Sequence, residues 1–115
     1  MTKISIVIPT YNEEENINNL IKRLQEVLTK IEDNYEIIFV LDPSTDKTEE
    51  LIIEHTTDKR IKLIKLSRRF GQPAATMAGI KHSSGDNIVI IDADLQDPPE
   101  LIIEMLDKMR NGYDV

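Results

Sequence analysis

Four short apolar runs, at residues 4–8, 35–41, 61–66 and 87–91, alternate with four segments that carry helix signals, and this alternation restricts the chain to one fold class. The clearest helix carries Ile17, Leu20, Ile21, Leu24, Val27, Leu28 and Ile31 at three- and four-residue steps, which makes one apolar face. Asn12, three residues before Glu15, is expected to open it as an N-cap. Further helices are expected at 49–55, 74–82 and 100–110, the last with Met105 and Met109 beside Leu101, Ile102 and Leu106 as core. Strands that are apolar throughout are buried on both faces, so the runs predict a parallel sheet with helices on either side. Right-handed crossovers then give a three-layer, Rossmann-like α/β sheet, for which the order 3-2-1-4 is expected. In that order the winding reverses between the first and fourth strands, and ligands bind at the carboxyl ends beside the reversal.

The loops that meet there are Pro9-Thr10-Tyr11-Asn12-Glu13 and Asp92-Ala93-Asp94-Leu95-Gln96. Alternate residues of an extended chain point the same way, so Asp92 and Asp94 can reach one divalent cation. Mg²⁺ and Mn²⁺ sites that handle phosphates use few protein carboxylates and leave other positions to phosphate oxygens and water. The competing reading is capping by Asp94 or Asp97 of the helix after Pro98-Pro99. Tyr11 offers a flat face for a nucleobase and Glu13 a carboxylate for base or ribose, unless the loop is only a capped turn. Asp42, at the end of the second strand, could bind a base N–H, while Asp46 with Glu49 reads as a capping box. The loop Ser67-Arg68-Arg69-Phe70-Gly71-Gln72-Pro73 has the densest positive charge near the crevice. The planar fork of an arginine suits a pyrophosphate, solvation at the surface being the alternative. His55 and His82, near helix ends, favour the helix dipole rather than a ligand.

Pro9-Thr10-Tyr11-Asn12-Glu13, Asp42 with Ser44-Thr45-Asp46, Arg68 with Phe70-Gly71, and Asp92-Ala93-Asp94-Leu95-Gln96-Asp97-Pro98-Pro99 together resemble family 2 glycosyltransferases. The likeness spans the chain with its motifs in order, and is greatest to the polyprenyl-phosphate branch, with its dolichyl-phosphate mannose synthases and bactoprenol glucosyltransferases. It implies the N-terminal half of a GT-A domain, residues 1–115 binding a nucleoside diphosphate sugar. By that resemblance Pro9, Tyr11, Glu13, Val40 and Asp42 line the nucleoside pocket, and Arg68 contributes to donor binding. Asp92 and Ala93 contact ribose and phosphate, and Asp94 and Gln96, with Asp92 beside them, hold Mg²⁺ or Mn²⁺. Two departures stand out. Leu41-Asp42-Pro43 replaces the usual Asp-Asp-Gly, and Arg68-Arg69-Phe70-Gly71 replaces Arg-Asn-Phe-Gly, which leaves Arg69 without a carried-over role.

The implied reaction transfers a sugar to a polyprenyl (undecaprenyl or dolichyl) phosphate. That phosphate is already anionic, so attack at the anomeric carbon needs no protein base, and direct displacement inverts the carbon. No residue here is an evident nucleophile. Two alternatives are a non-catalytic nucleotide-binding or interaction domain, favoured by the loss of Asp-Asp-Gly, and a haloacid-dehalogenase-type phosphatase, which Gln96-Asp97-Pro98-Pro99 does not match. With 14 basic and 21 acidic side chains the net charge is −7, which argues against a nucleic-acid partner or broad attraction to an anionic bilayer. There is no cysteine, hence no disulfide framework. No apolar stretch approaches the ~20 residues of a membrane span. Gly112 ends the last helix, and Tyr113-Asp114-Val115 reads as entry to a strand that does not follow. The chain is therefore expected to be a soluble first part of a longer enzyme that works on the cytoplasmic side of the membrane. Such a fragment is expected to bind donor without turnover and to self-associate through exposed apolar surface.

Overall fold

The computed structural model describes residues 3–31, 34–94 and 98–110, so Gln96 and the expected strand entry at 113–115 lie outside the described residues, as do the side chains of Leu106 and Met109. The elements run β1 (Ile4–Thr10), α1 (Ile17–Ile31), β2 (Tyr35–Leu41), α2 (Thr48–His55), β3 (Ile61–Lys65), α3 (Gln72–His82), β4 (Asn87–Ile90) and α4 (Leu101–Arg110). All strand pairs are parallel and the order is β3-β2-β1-β4, with Ile6 opposite Ile37 on one side and Val89 on the other. The expected α/β sheet is thus the observed one, and β1 and β4 are the strands at the winding reversal.

The two faces of the sheet are unequal. On one, Ile4, Ile6, Ile8, Ile37, Phe39 and Val89 meet the apolar stripe of α1, with Ile52 of α2 and Ile102 of α4 completing the core. On the other, Val7, Ile38 and Val40 are covered by one helix among the described residues, α3, through Ala75 with Ala78 beside it. Gly79 permits this close approach: a Cβ there would lie 2.3 Å from Val7 Cγ1 and 3.0 Å from Val40 Cγ2. Beyond the reach of α3, Ile88 and Ile90 of β4 are 38% and 43% exposed.

The amino ends of the strands are locked by one buried carboxylate. Glu36 of β2 accepts hydrogen bonds from Ser5 Oγ (2.6 Å), Lys62 Nζ (2.6 Å) and the Ser84 amide (2.6 Å), while the Gly85 amide donates to Ser5 Oγ (2.8 Å). Burial alone would raise the pKa of this carboxyl. The hydrogen bonds from Lys62, Ser5 and Ser84 together outweigh it and bring the value down to about 2.

The carboxyl ends are not zipped in the same way, and Pro9 is the reason. The Ile4 amide donates to Asn34 O and the Asp42 amide to Thr10 O, so the even-numbered residues of β1 face β2. Val7 O accepts from the Ile91 amide, so the odd-numbered residues face β4. Pro9 therefore lacks its donor on the β4 side, where the next rung would form. The sequence reading ends the strand near Pro9. The structure carries β1 on to Thr10 against β2 and ends only the pairing with β4.

Candidate functional site

The β1–α1 and β2–α2 loops are tied to each other. The Asn12 amide donates to Ser44 Oγ (3.1 Å), and Asn12 Oδ1 accepts from the Thr45 amide (2.9 Å). The Glu13 amide donates to Thr48 Oγ1 (2.8 Å) and the Glu14 amide to Asp46 Oδ2 (3.3 Å). Asn12 is accordingly not the cap of α1. It adopts a left-handed φ of 48°, which asparagine tolerates, and its side chain bridges the loops. Asn16 stands at the helix start in its place: its carbonyl accepts from the Leu20 amide and its Nδ2 donates to Glu13 Oε2 (2.9 Å). Asp46 accepts from the Thr48 amide (3.0 Å) as a cap would, but Glu49 pairs with Lys65 (3.1 Å). These ties hold Tyr11, Glu13 and Asp42 as one wall.

That wall faces a cleft of about 240 Å³ at the carboxyl edge. Its lining includes Pro9, Tyr11, Glu13 and Asp42 from one side and Asp92, Ala93 and Asp94 from the other, with Arg69, Gly71 and Gln72 closing it. Of the described residues expected to form a site, seven therefore line one cavity. Val40 is completely buried beneath it, against α3. The strand β4 ends at Ile90, so Asp92 lies beyond it and Asp94 falls in the turn that follows, rather than both in one extended strand. Asp92 is half-buried and accepts from Gln72 Nε2 (2.7 Å); Asp94 is exposed. Arg68 stacks on Phe70, its guanidinium carbon 4.7 Å from the ring centre, while Arg69 stacks on Tyr11 at 3.9 Å.

Asp42 has the most telling environment. It is 5% exposed, and its Oδ1 is buried with no hydrogen-bond partner among the described residues. A buried acceptor left unpaired costs about 1–3 kcal/mol, more if charged, so its persistence at the base of a cavity points to a donor group arriving there. Sequence reasoning assigned nothing to Gln72, quoted Gly71 only within a motif, and weighed Arg69 only jointly with Arg68, as a pyrophosphate ligand or a solvated surface charge. The available signal was position: all three lie where the β3–α3 loop turns into a helix, and Gly71 takes the φ of 91° that this turn requires.

The family model for glycosyl transferase family 2 matches residues 5–115. The chain belongs to that family. This family 2 chain is 52% identical over 114 residues to an uncharacterized glycosyltransferase of Synechocystis, covering 98% of itself and 36% of that protein. It is 43% identical over 115 residues to the undecaprenyl-phosphate 4-deoxy-4-formamido-L-arabinose transferase of Salmonella choleraesuis, covering 98% of itself and 35% of that protein. Among solved structures it is similar to the mannosyltransferase of Pyrobaculum calidifontis in complex with GDP-Man and Mn²⁺. There the TM-score is 0.77 at 26% identity, over 89% of this chain and 30% of that one. The family 2 chain thus spans about a third of the length of the curated relatives it matches, and its sheet is a GT-A-type, Rossmann-like unit.

Among the described residues no three acidic or histidine side chains gather into a metal cluster. The two-carboxylate turn Asp92–Asp94 nevertheless fits a nucleotide-linked cation, which takes most of its ligands from phosphate and water. No helix among the described residues is long and apolar enough to cross a membrane.

Proposed function

We propose that this chain is the donor-binding part of an enzyme that transfers a sugar from a nucleoside diphosphate sugar to a polyprenyl phosphate, with inversion at the anomeric carbon. The observation that carries the reading is the unpaired, buried Oδ1 of Asp42 in the cleft that also gathers Tyr11, Asp92 and Asp94. Asp42 accepts a base N–H, Tyr11 supplies a face for the base, and Glu13, oriented by Asn16, takes a ribose or base hydroxyl or amine. Asp92, aligned by Gln72, contacts ribose and phosphate together with the Ala93 backbone. Asp94, with Gln96 and Asp92, would hold Mg²⁺ or Mn²⁺. When bound, that cation supplies Lewis-acid neutralisation of the leaving diphosphate. The N-terminus of α3, entering the cleft at Gly71 and Gln72, adds a favourable potential for the same anion. The acceptor phosphate is its own nucleophile, so the protein's task is to orient the donor and stabilise what leaves. The likeness to the Salmonella undecaprenyl-phosphate sugar transferase supports the polyprenyl acceptor. An acceptor of that kind would set the whole protein to work at the cytoplasmic face of a membrane.

Calorimetric titration of UDP and GDP, with and without Mn²⁺, tests the assignment. Nucleotide and cation should each strengthen the other's binding by one factor. Asp94→Asn should abolish that linkage with the fold intact. Asp42→Ala should weaken nucleotide binding by roughly tenfold whether or not metal is present. If Asp94→Asn behaves like the parent, the two carboxylates are helix caps and the reading fails.

A further inference from the structure

The cleft is lined by four carboxylates, Glu13, Asp42, Asp92 and Asp94, and among the described lining residues by one cation, Arg69. A nucleoside diphosphate entering it brings more negative charge than a single divalent ion offsets in so acidic a setting. Arg68, the arginine that the motif singles out, stacks on Phe70 and is not among the described residues lining the cleft. Arg69 lies with its guanidinium flat on Tyr11, the ring that the donor reading gives to the base. We infer that Arg69 is the diphosphate-binding cation of this chain, stationed on the Tyr11 ring until a donor arrives and transferring to the phosphates as the base takes that face. The inference rests on the donor reading above and assigns a contact to a residue that the reading leaves without one.

The exchange is physically favourable in both directions of the argument. A cation–π contact at a half-open site is weaker than a charge-assisted, bidentate bond from guanidinium to phosphate. A base stacked on Tyr11 recovers the ring contact that the guanidinium gives up. Both steps occur beside the start of α3, whose first-turn amides favour an anion at the same place. An asparagine at position 69, as in the motif this loop resembles, could do neither.

The test compares nucleoside with nucleoside diphosphate. Uridine, guanosine, UDP and GDP are titrated calorimetrically, with Mn²⁺, into the full chain and into R69N and R69K. R69N should lose about tenfold in affinity for the diphosphate that binds, while the matching nucleoside binds equally well or more tightly because no guanidinium must be displaced. R69K keeps the charge without the fork and should fall between. Equal losses for nucleoside and diphosphate would mean that Arg69 only packs Tyr11, and an unchanged R69N would remove it from the site; either overturns the inference and leaves the donor reading standing. A parent chain that binds no nucleotide overturns both.

Discussion

Glu36 and Asp42 sit at opposite ends of β2, and both are buried carboxylates. Glu36 has every reason to stay charged: three hydrogen bonds, one of them from the Lys62 ammonium, hold it at about 2, where burial alone would have pushed its pKa up. Its folded value lies below the 4.5 of the free side chain, so its contribution is complete above about pH 4.5 and is lost as pH falls through about 2. The shift corresponds to about 3 kcal/mol. Urea unfolding of Glu36→Gln should show about that loss at pH 7, and the gap to the parent should close as both approach pH 2. A constant gap across the range would mean that packing, not charge, is what Glu36 provides. At this scale the sequence was informative about place where a motif spoke: Asp42, Asp92 and Tyr11 line one cleft. It was silent where the environment is assembled by distant segments. Glu36 carries no role in the sequence reading, because Ser5, Lys62 and Ser84 come near it only in the fold.

At the scale of elements, α3 shows how one small residue sets a spacing. A methyl at Gly79 would gain helix propensity of about 1 kcal/mol but would drive into Val7 and Val40, an overpacking that costs roughly 1–3 kcal/mol. Gly79→Ala should lower the melting temperature by several degrees, and calorimetry of the unfolding transition reads it directly. Since Gln72 and Gly71 ride on the same helix, nucleotide affinity should fall with it. The existence and type of all eight elements were legible in the sequence: buried parallel strands and the α1 stripe leave strong patterns, while α3 was marked by its small residues and the Ser83-Ser84-Gly85 stop. Their ends could not. Asn12 and Asn16 offer the same capping chemistry, and only the ties from Asn12 to Ser44 and Thr45 decide between them.

Taken whole, the molecule has a sealed pole and an open one. Hydrogen bonds through Glu36, Ser5 and the 83–86 turn close the sheet at its amino end, while the strands part at the carboxyl end to admit the cleft. Strand alternation gave the parallel sheet, and the order expected for it, which decides which loops face each other, is the observed one. The outward faces of Ile88 and Ile90 show that the pattern also marks where apolar surface is left uncovered on the α3 side. The parting itself rests on Pro9. Pro9→Ala would supply the missing rung, worth about 1 kcal/mol, but would also loosen the unfolded chain by about 0.4–1 kcal/mol, so net stability should barely move. What should change is shape: hydrogen exchange would show a newly protected amide at position 9, and UDP or GDP affinity would drop as the Asp92 turn is drawn inward. A residue can thus be nearly invisible to any screen for stability and still decide whether there is room for a ligand. For a chain like this one, tolerance to mutation and fitness for function would have to be mapped separately.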